Sequence, residues 1–313
     1  MSLDQQTRPK RVTPEKRAQK RARVAWALLF PSIAILAVVI GWPLINLIGL
    51  SFQEFGRAQV FGAEPEFIGI ENYQKIFGDD GFWEVLSRSL VFAAVVVIAT
   101  MVIGTLVALL MNYVPKRIKY LVQIGLLVAW AMPQLTAVIV WGWMFNTEYG
   151  VLNHLITQVT GLDFYGHSWL SEPLSFFGVA TIIITWQSVP FVALTIYAGL
   201  TQIPKEMVEA AWLDGASSWQ RFRDLTFPLL RPIFTIVIIL QIIWDLRVFT
   251  QIYALQGLGG LREETNTLGV YIYLTSLGSG NFGLGGAIAV VMVVLMSAVS
   301  AFYIRRTLQD MDD

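Results

Sequence analysis

The chain has 313 residues, enough for two soluble domains, but 55% are apolar and only 14% charged, where a soluble domain carries about 25% charge. That composition belongs to a membrane protein. Lys plus Arg and Asp plus Glu number 22 each, so no global charge draws the chain to nucleic acid, and the absence of Cys excludes disulfides, thiolate metal sites and Cys nucleophiles.

A bilayer core of about 30 Å takes roughly 20 apolar residues in a helix. Six runs of that kind follow in chain order: 24–50, 90–111, 121–145, 174–200, 233–255 and 282–304. The first follows a basic tail, residues 1–23, and is too long for the apolar core of a cleavable signal, so it reads as a retained span. Between the spans, 52–82 reads as a loop with a short helix, and 146–173 as a loop punctuated by Gly150, Gly161 and Gly166. The run 268–277 is too short to cross and reads as interfacial or re-entrant. His154 and His167, the only histidines, have no second histidine at ligand spacing and read as ordinary loop residues.

Orientation comes from the distribution of the cations. With the N-terminus inside, segments 1–23, 113–119, 201–231 and 305–313 hold 17 Lys and Arg. The opposite segments hold only Arg57, Lys75 and Arg262, with eleven acids. Such a bias predicts an all-α, N-in, C-in, six-span chain with short inner tails at 1–23 and 307–313.

The longest inner loop between spans, 201–231, is the element that a mere connector does not explain. Pro204 suits a first helical turn, Glu206 lies near its positive end, and Met207, Ala210 and Ala211 make one apolar face with two very small side chains. Gly215 breaks that helix; Ser217 and Gln220 form a capping-box pattern that starts a second, which Pro228 should stop. Two short helices at a sharp turn, with Glu209 and Asp214 offering carboxylates, predict a docking surface. The alternative is an amphipathic helix on headgroups.

This loop resembles the signature of binding-protein-dependent ABC importer permeases, E-A-A-x3-G-x9-I-x-L-P. It is matched as Glu209, Ala210, Ala211, Gly215, Leu225, Phe227 and Pro228, with Leu for Ile and Phe for Leu. Phe67-Ile68-Gly69-Ile70-Glu71-Asn72-Tyr73, Phe82-Trp83, Tyr149-Gly150, and Trp186 with Pro190 look like the sugar-permease branch, the maltose and glycerol-phosphate type. The likeness runs over residues 24–306. It implies a type I importer permease fold in a prokaryotic cell membrane, in which Glu209, Ala210, Ala211, Asp214, Gly215, Ser217 and Pro228 belong to the loop that docks on a separate ATPase. It also implies two ATPase copies that bind ATP and Mg, a second permease, commonly a different chain, an outside solute-binding protein, and a sugar, expected to be a di- or oligosaccharide. The chain has no Gly-Lys dipeptide and so no Walker A loop of its own; the resemblance then implies a permease subunit and not an enzyme, with ATP hydrolysis on a separate subunit.

Polar groups at membrane depth are candidates for the pathway, since burying them costs free energy unless they pair or line water. On the third span Trp130, Gln134 and Trp141 share a helical stripe; Trp186 and Gln187 precede Pro190; Gln241, Trp244 and Asp245 fall at i, i+3, i+4. At 1.5 Å per residue Gln134 and Asp245 both lie roughly 20 Å from the inner surface. Aromatic faces with amides and a carboxylate suit a saccharide. Trp130, Trp141 and Trp143 also read, more simply, as interface anchors or packing residues. Arg247, about 200° round the helix from Asp245, should not pair with it within one helix and is expected to snorkel or meet a partner carboxylate. A secondary transporter would show inverted repeats, and an intramembrane enzyme a catalytic box; neither pattern appears.

Overall fold

A computed structural model describes residues 14–312, with side chains from 25 to 305; the basic side chains of residues 1–23 and the 307–313 tail lie outside that set. The first span is α1 (Pro14–Leu36) and α2 (Trp42–Ser51) joined by a π-helical turn, Ala37–Gly41. None of residues 25–50 is buried. A two-residue pairing, Gln53–Glu54 with Glu66–Phe67, is the only sheet among the described residues. Around it lie α3 (Arg57–Val60) and α4 (Glu71–Phe77), so the 52–82 segment is more structured than a loop with one helix.

The second span is α5 (Asp80–Tyr113), whose N-cap Asp79 accepts from the Gly81 amide at 3.0 Å. The third expected span is not one helix. α6 (Lys116–Ala131) and α7 (Gln134–Met144) meet at 101° across Met132 and Pro133, because Pro133 has no N–H to continue the ladder and holds Met132 in extended backbone. The following outer segment also departs from a loop: α8 (Val151–Thr160) forms between Gly150 and Gly161, which serve as its caps. α9 (Pro173–Leu200) is the fourth span and carries Pro190 in its interior.

α10 (Lys205–Leu213) and α11 (Ser218–Arg221) form the inner loop, and a π turn, Phe222–Thr226, leads without interruption into α12 (Phe227–Leu246). Pro228 therefore does not stop the helix as expected. It lies two residues past the π turn, as Pro43 lies two past the turn at Ala37–Gly41, and in both places the widened turn takes the ladder past the missing N–H. α13 (Thr250–Gly257) completes the fifth span after a short non-helical step. α14 (Arg262–Thr265) and α15 (Leu268–Tyr273) lie between it and α16 (Phe282–Asp312), the last span. Five helices are long and apolar enough to cross a membrane, and the bent α6–α7 pair, taken as one span, gives six.

The centre of the bundle is α5 against α9. Gly104 permits this, since a Cβ there would stand 2.6 Å from the Val192 side chain. One buried cluster joins Phe92, Val138, Ile183 and Ile252 of α5, α7, α9 and α13. A second joins Met101, Val192, Ile196, Phe234 and Val237 of α5, α9 and α12. The polar cavity described next borders on these clusters.

Candidate functional site

Two spans are broken at one place. α6 ends before Met132, α12 ends at Leu246, and the ends, with the middle of α9, enclose a cavity of about 370 Å³. Trp130, Met132, Gln134, Gln187, Ser188, Trp244, Asp245, Arg247 and Gln251 line it. Irregular backbone at membrane depth is tolerated where its polar groups find partners or a cavity. Here the Gln187 amide Nε2 donates to the Met132 carbonyl oxygen at 3.3 Å, and Gln251 Nε2 donates to Gln187 Oε1 at 3.3 Å. A relay of two amides thus caps the α6 break from the start of α13.

The structure brings five of the seven expected pathway residues to this cavity: Trp130, Gln134, Gln187, Trp244 and Asp245. They meet for a reason other than the one expected. Trp130 and Gln134 lie on different helices either side of the bend, so no single stripe joins them, and a depth counted along a straight helix does not apply. Trp186 is elsewhere, edge-on to Trp141 with centroids 5.8 Å apart. Gln241 is wholly buried beneath the cavity residues on α12, and neither its amide oxygen nor its nitrogen has a partner. Asp245 is 4% exposed, and its Oδ2 has no partner either. The Trp244 indole packs edge-on against Phe191 at 5.0 Å.

The sequence reading turned Arg247 away from the cavity and did not single out Gln251. The helical-wheel argument separated Arg247 from Asp245 by assuming a continuous helix, but α12 ends at Leu246 and the exposed Arg247 turns onto the same cavity. No ion pair joins the two among the described residues. The wall therefore offers a carboxylate, three primary amides, a guanidinium and two indoles, donors and acceptors together with flat apolar faces.

The inner loop is built as follows. Pro204 caps α10 and Glu206 lies in its first turn. The helix ends on hydrogen bonds from the Asp214 and Ala216 amides to the Ala210 and Ala211 carbonyls, each 3.0 Å. Gly215 follows at φ 76°, where a side chain is strained, although a Cβ would touch nothing. Ser217 Oγ accepts from the Gln220 amide at 3.3 Å while Gln220 Oε1 accepts from the Ser217 amide at 2.8 Å, a reciprocal cap. Glu209, Ala210, Asp214, Gly215, Ser217 and Pro228 are exposed and Ala211 half-buried. Large apolar side chains are exposed with them: Trp212 at 64%, Leu213 at 89% and Trp219 at 65%. An open groove of about 630 Å³ runs beside α10 between Tyr113, Glu209, Trp212 and Arg221.

Residues 101–310 match the family of inner membrane components of binding-protein-dependent transport systems. The diacetylchitobiose uptake system permease protein of Streptomyces coelicolor is 38% identical over 93% of this chain and 89% of its own. The sulfoquinovosyl glycerol transport system permease protein of Agrobacterium fabrum is 35% identical over 90% and 89%. In fold, the chain resembles a crystal structure of a bacterial ABC transporter involved in the import of the acidic polysaccharide alginate, with a TM-score of 0.77 and 19% identity over 94% of this chain and 98% of that one. With two broken spans around a polar cavity and a capped, exposed inner loop, the chain belongs to the binding-protein-dependent transport system inner membrane components.

Proposed function

We propose that the chain is the membrane-spanning subunit of an ATP-driven importer for a di- or oligosaccharide, and that the cavity between α6, α9, α12 and α13 is its part of the substrate pathway. The observation that carries this reading is the convergence of indole faces, amides and a carboxylate on the breaks of two spans. Indoles stack on the C–H faces of sugar rings while amides and carboxylates bind their hydroxyls. The relatives named above are transport proteins for an acetylated amino-sugar dimer and a sulfonated sugar glycoside, which agrees with a carbohydrate cargo.

Energy comes to this chain through partners. Two ATPase subunits, which hold ATP and Mg, engage loop 201–231; a second permease completes the pathway; a solute-binding protein delivers sugar from outside. The exposed apolar residues around Glu209 and the reciprocal cap at Ser217 support a rigid docking element. ATPase closure then moves that element as a lever and opens the cavity alternately outward and inward. Gly215 supplies the turn and Glu209 the polar contact.

The test is a complex reconstituted in vesicles. Sugar uptake should require ATP and the binding protein, and Gly215→Pro, which cannot adopt φ 76°, should leave insertion intact while ATP hydrolysis runs without uptake. Wild-type uptake by Gly215→Pro would sink the lever assignment; uptake driven by an ion gradient without ATP would favour a secondary transporter.

A further inference from the structure

Between the outer halves of α5 and α9 lies a second, open groove of about 680 Å³ that the pathway does not use. Its walls are apolar: Val91, Phe92 and Val95 on α5, Leu174 and Phe177 on α9. Gly178 keeps the floor low, since nothing stands within 4 Å of where its Cβ would be. The lining carries charge at two residues, Arg88 and Glu264, and they are neighbours: Arg88 Nη1 donates to the carbonyl oxygens of Glu263 and Asn266, 3.3 Å each. Both therefore stand at the end of the groove nearest the start of α5, the outer end by the charge bias of the loops.

Arg88 is held in place by those carbonyls and lies 3.9 Å from Glu84, yet a guanidinium has five N–H groups and its remaining donors are free to bind. Glu264 is exposed and makes no ion pair among the described residues. From Arg88 to Val95 the helix rises about 10 Å, against a leaflet of about 15 Å. A charged mouth of both signs over an apolar trough has the polarity and length of a single lipid.

We infer that this groove binds an outer-leaflet phospholipid with a zwitterionic headgroup, the phosphate on Arg88, the ammonium on Glu264, and an acyl chain along Gly178. Charge complementarity selects this occupant. An apolar helix from another subunit would bury the unpaired Glu264 carboxylate without a partner, which is costly. A purely anionic headgroup would satisfy Arg88 but lie against the Glu264 carboxylate.

The experiment exchanges the purified transporter complex into nanodiscs containing equal amounts of phosphatidylethanolamine and phosphatidylglycerol and counts retained lipid by native mass spectrometry. Wild type should retain phosphatidylethanolamine preferentially. Glu264→Gln should reduce that preference about two- to fivefold, the effect of one exposed ion pair, and Gly178→Leu, which fills the floor, should release the lipid with assembly unchanged. Equal retention of both lipids by wild type, or undiminished lipid on Gly178→Leu, would overturn the inference. So would efficient cross-linking of Gly178→Cys to a partner permease, which would make the groove a subunit interface.

Discussion

The Arg221 guanidinium lies 4.9 Å from the centre of the Trp212 ring, and its Nη1 donates to the Ala216 carbonyl oxygen at 2.6 Å. One side chain thus clamps the helix before the Gly215 turn to the turn itself from the helix after it. The lever role proposed for loop 201–231 requires stiffness, and backbone caps alone leave the angle between two short helices weakly defined. The cation–π contact contributes about 0.5–1 kcal/mol at an exposed site and the charged hydrogen bond about 1.5–3 kcal/mol.

Replacing Arg221 should therefore loosen the loop without touching either the cavity or the spans. Arg221→Ala is expected to keep membrane insertion and ATPase activity while sugar moved per ATP hydrolysed falls severalfold. Arg221→Lys retains the charge but not the planar fork that serves the Ala216 carbonyl, Ser218 Oγ at 3.1 Å and the Trp212 ring at once, and should fall between. Parallel uptake and phosphate-release assays on one vesicle preparation check the order; an unchanged ratio in Arg221→Ala would show the clamp to be dispensable.

Within the cavity, Asp245 and Gln134 should separate by charge. A hydrogen bond to a carboxylate contributes about 1.5–3 kcal/mol and a neutral one about 1 kcal/mol. Asp245→Asn, which keeps a neutral acceptor and loses only the difference, should thus raise the KM for uptake by about two- to thirtyfold, and Gln134→Ala by about fivefold. Assembly with partner subunits should be intact in both, as judged by co-purification. Normal transport by both variants would remove the cavity from the pathway.

Much of this was legible before any coordinates, and the parts that were not share a cause. Uneven placement of Lys and Arg, together with runs of about 20 apolar residues, is a direct imprint of the bilayer and needs no tertiary information. The inner loop declared itself because Gly215, Ser217 and Gln220 act on their near neighbours. What failed were inferences that hang on proline. Pro133 ends a helix, Pro190 and Pro232 sit inside continuing ones, and Pro228 is accommodated by a π turn, yet all four lie in apolar runs that look alike. The outcome depends on whether a neighbour such as Gln187 can cap the freed carbonyl, and that neighbour is 55 residues away. Arg247 and Gln251 were lost for the same reason, since their place follows from where α12 stops. Trp212 and Arg221 likewise meet only once the Gly215 turn is made.

The amide relay makes the α6 break a ranked prediction. Gln187→Leu removes the donor to Met132 and leaves that carbonyl without its protein partner, at a cost of about 1–3 kcal/mol. Gln251→Leu removes only the donation to Gln187 Oε1 and leaves the Met132 bond in place. Gln187→Leu should therefore lower the melting temperature of the purified complex more than Gln251→Leu, and should also weaken uptake more, because Gln134 begins the helix that the capped break aims. The double variant should be little worse than Gln187→Leu alone, since the second amide acts through the first. Additive losses, or a larger effect of Gln251→Leu, would mean that Gln251 serves the cavity directly and that the break is held by something other than this relay.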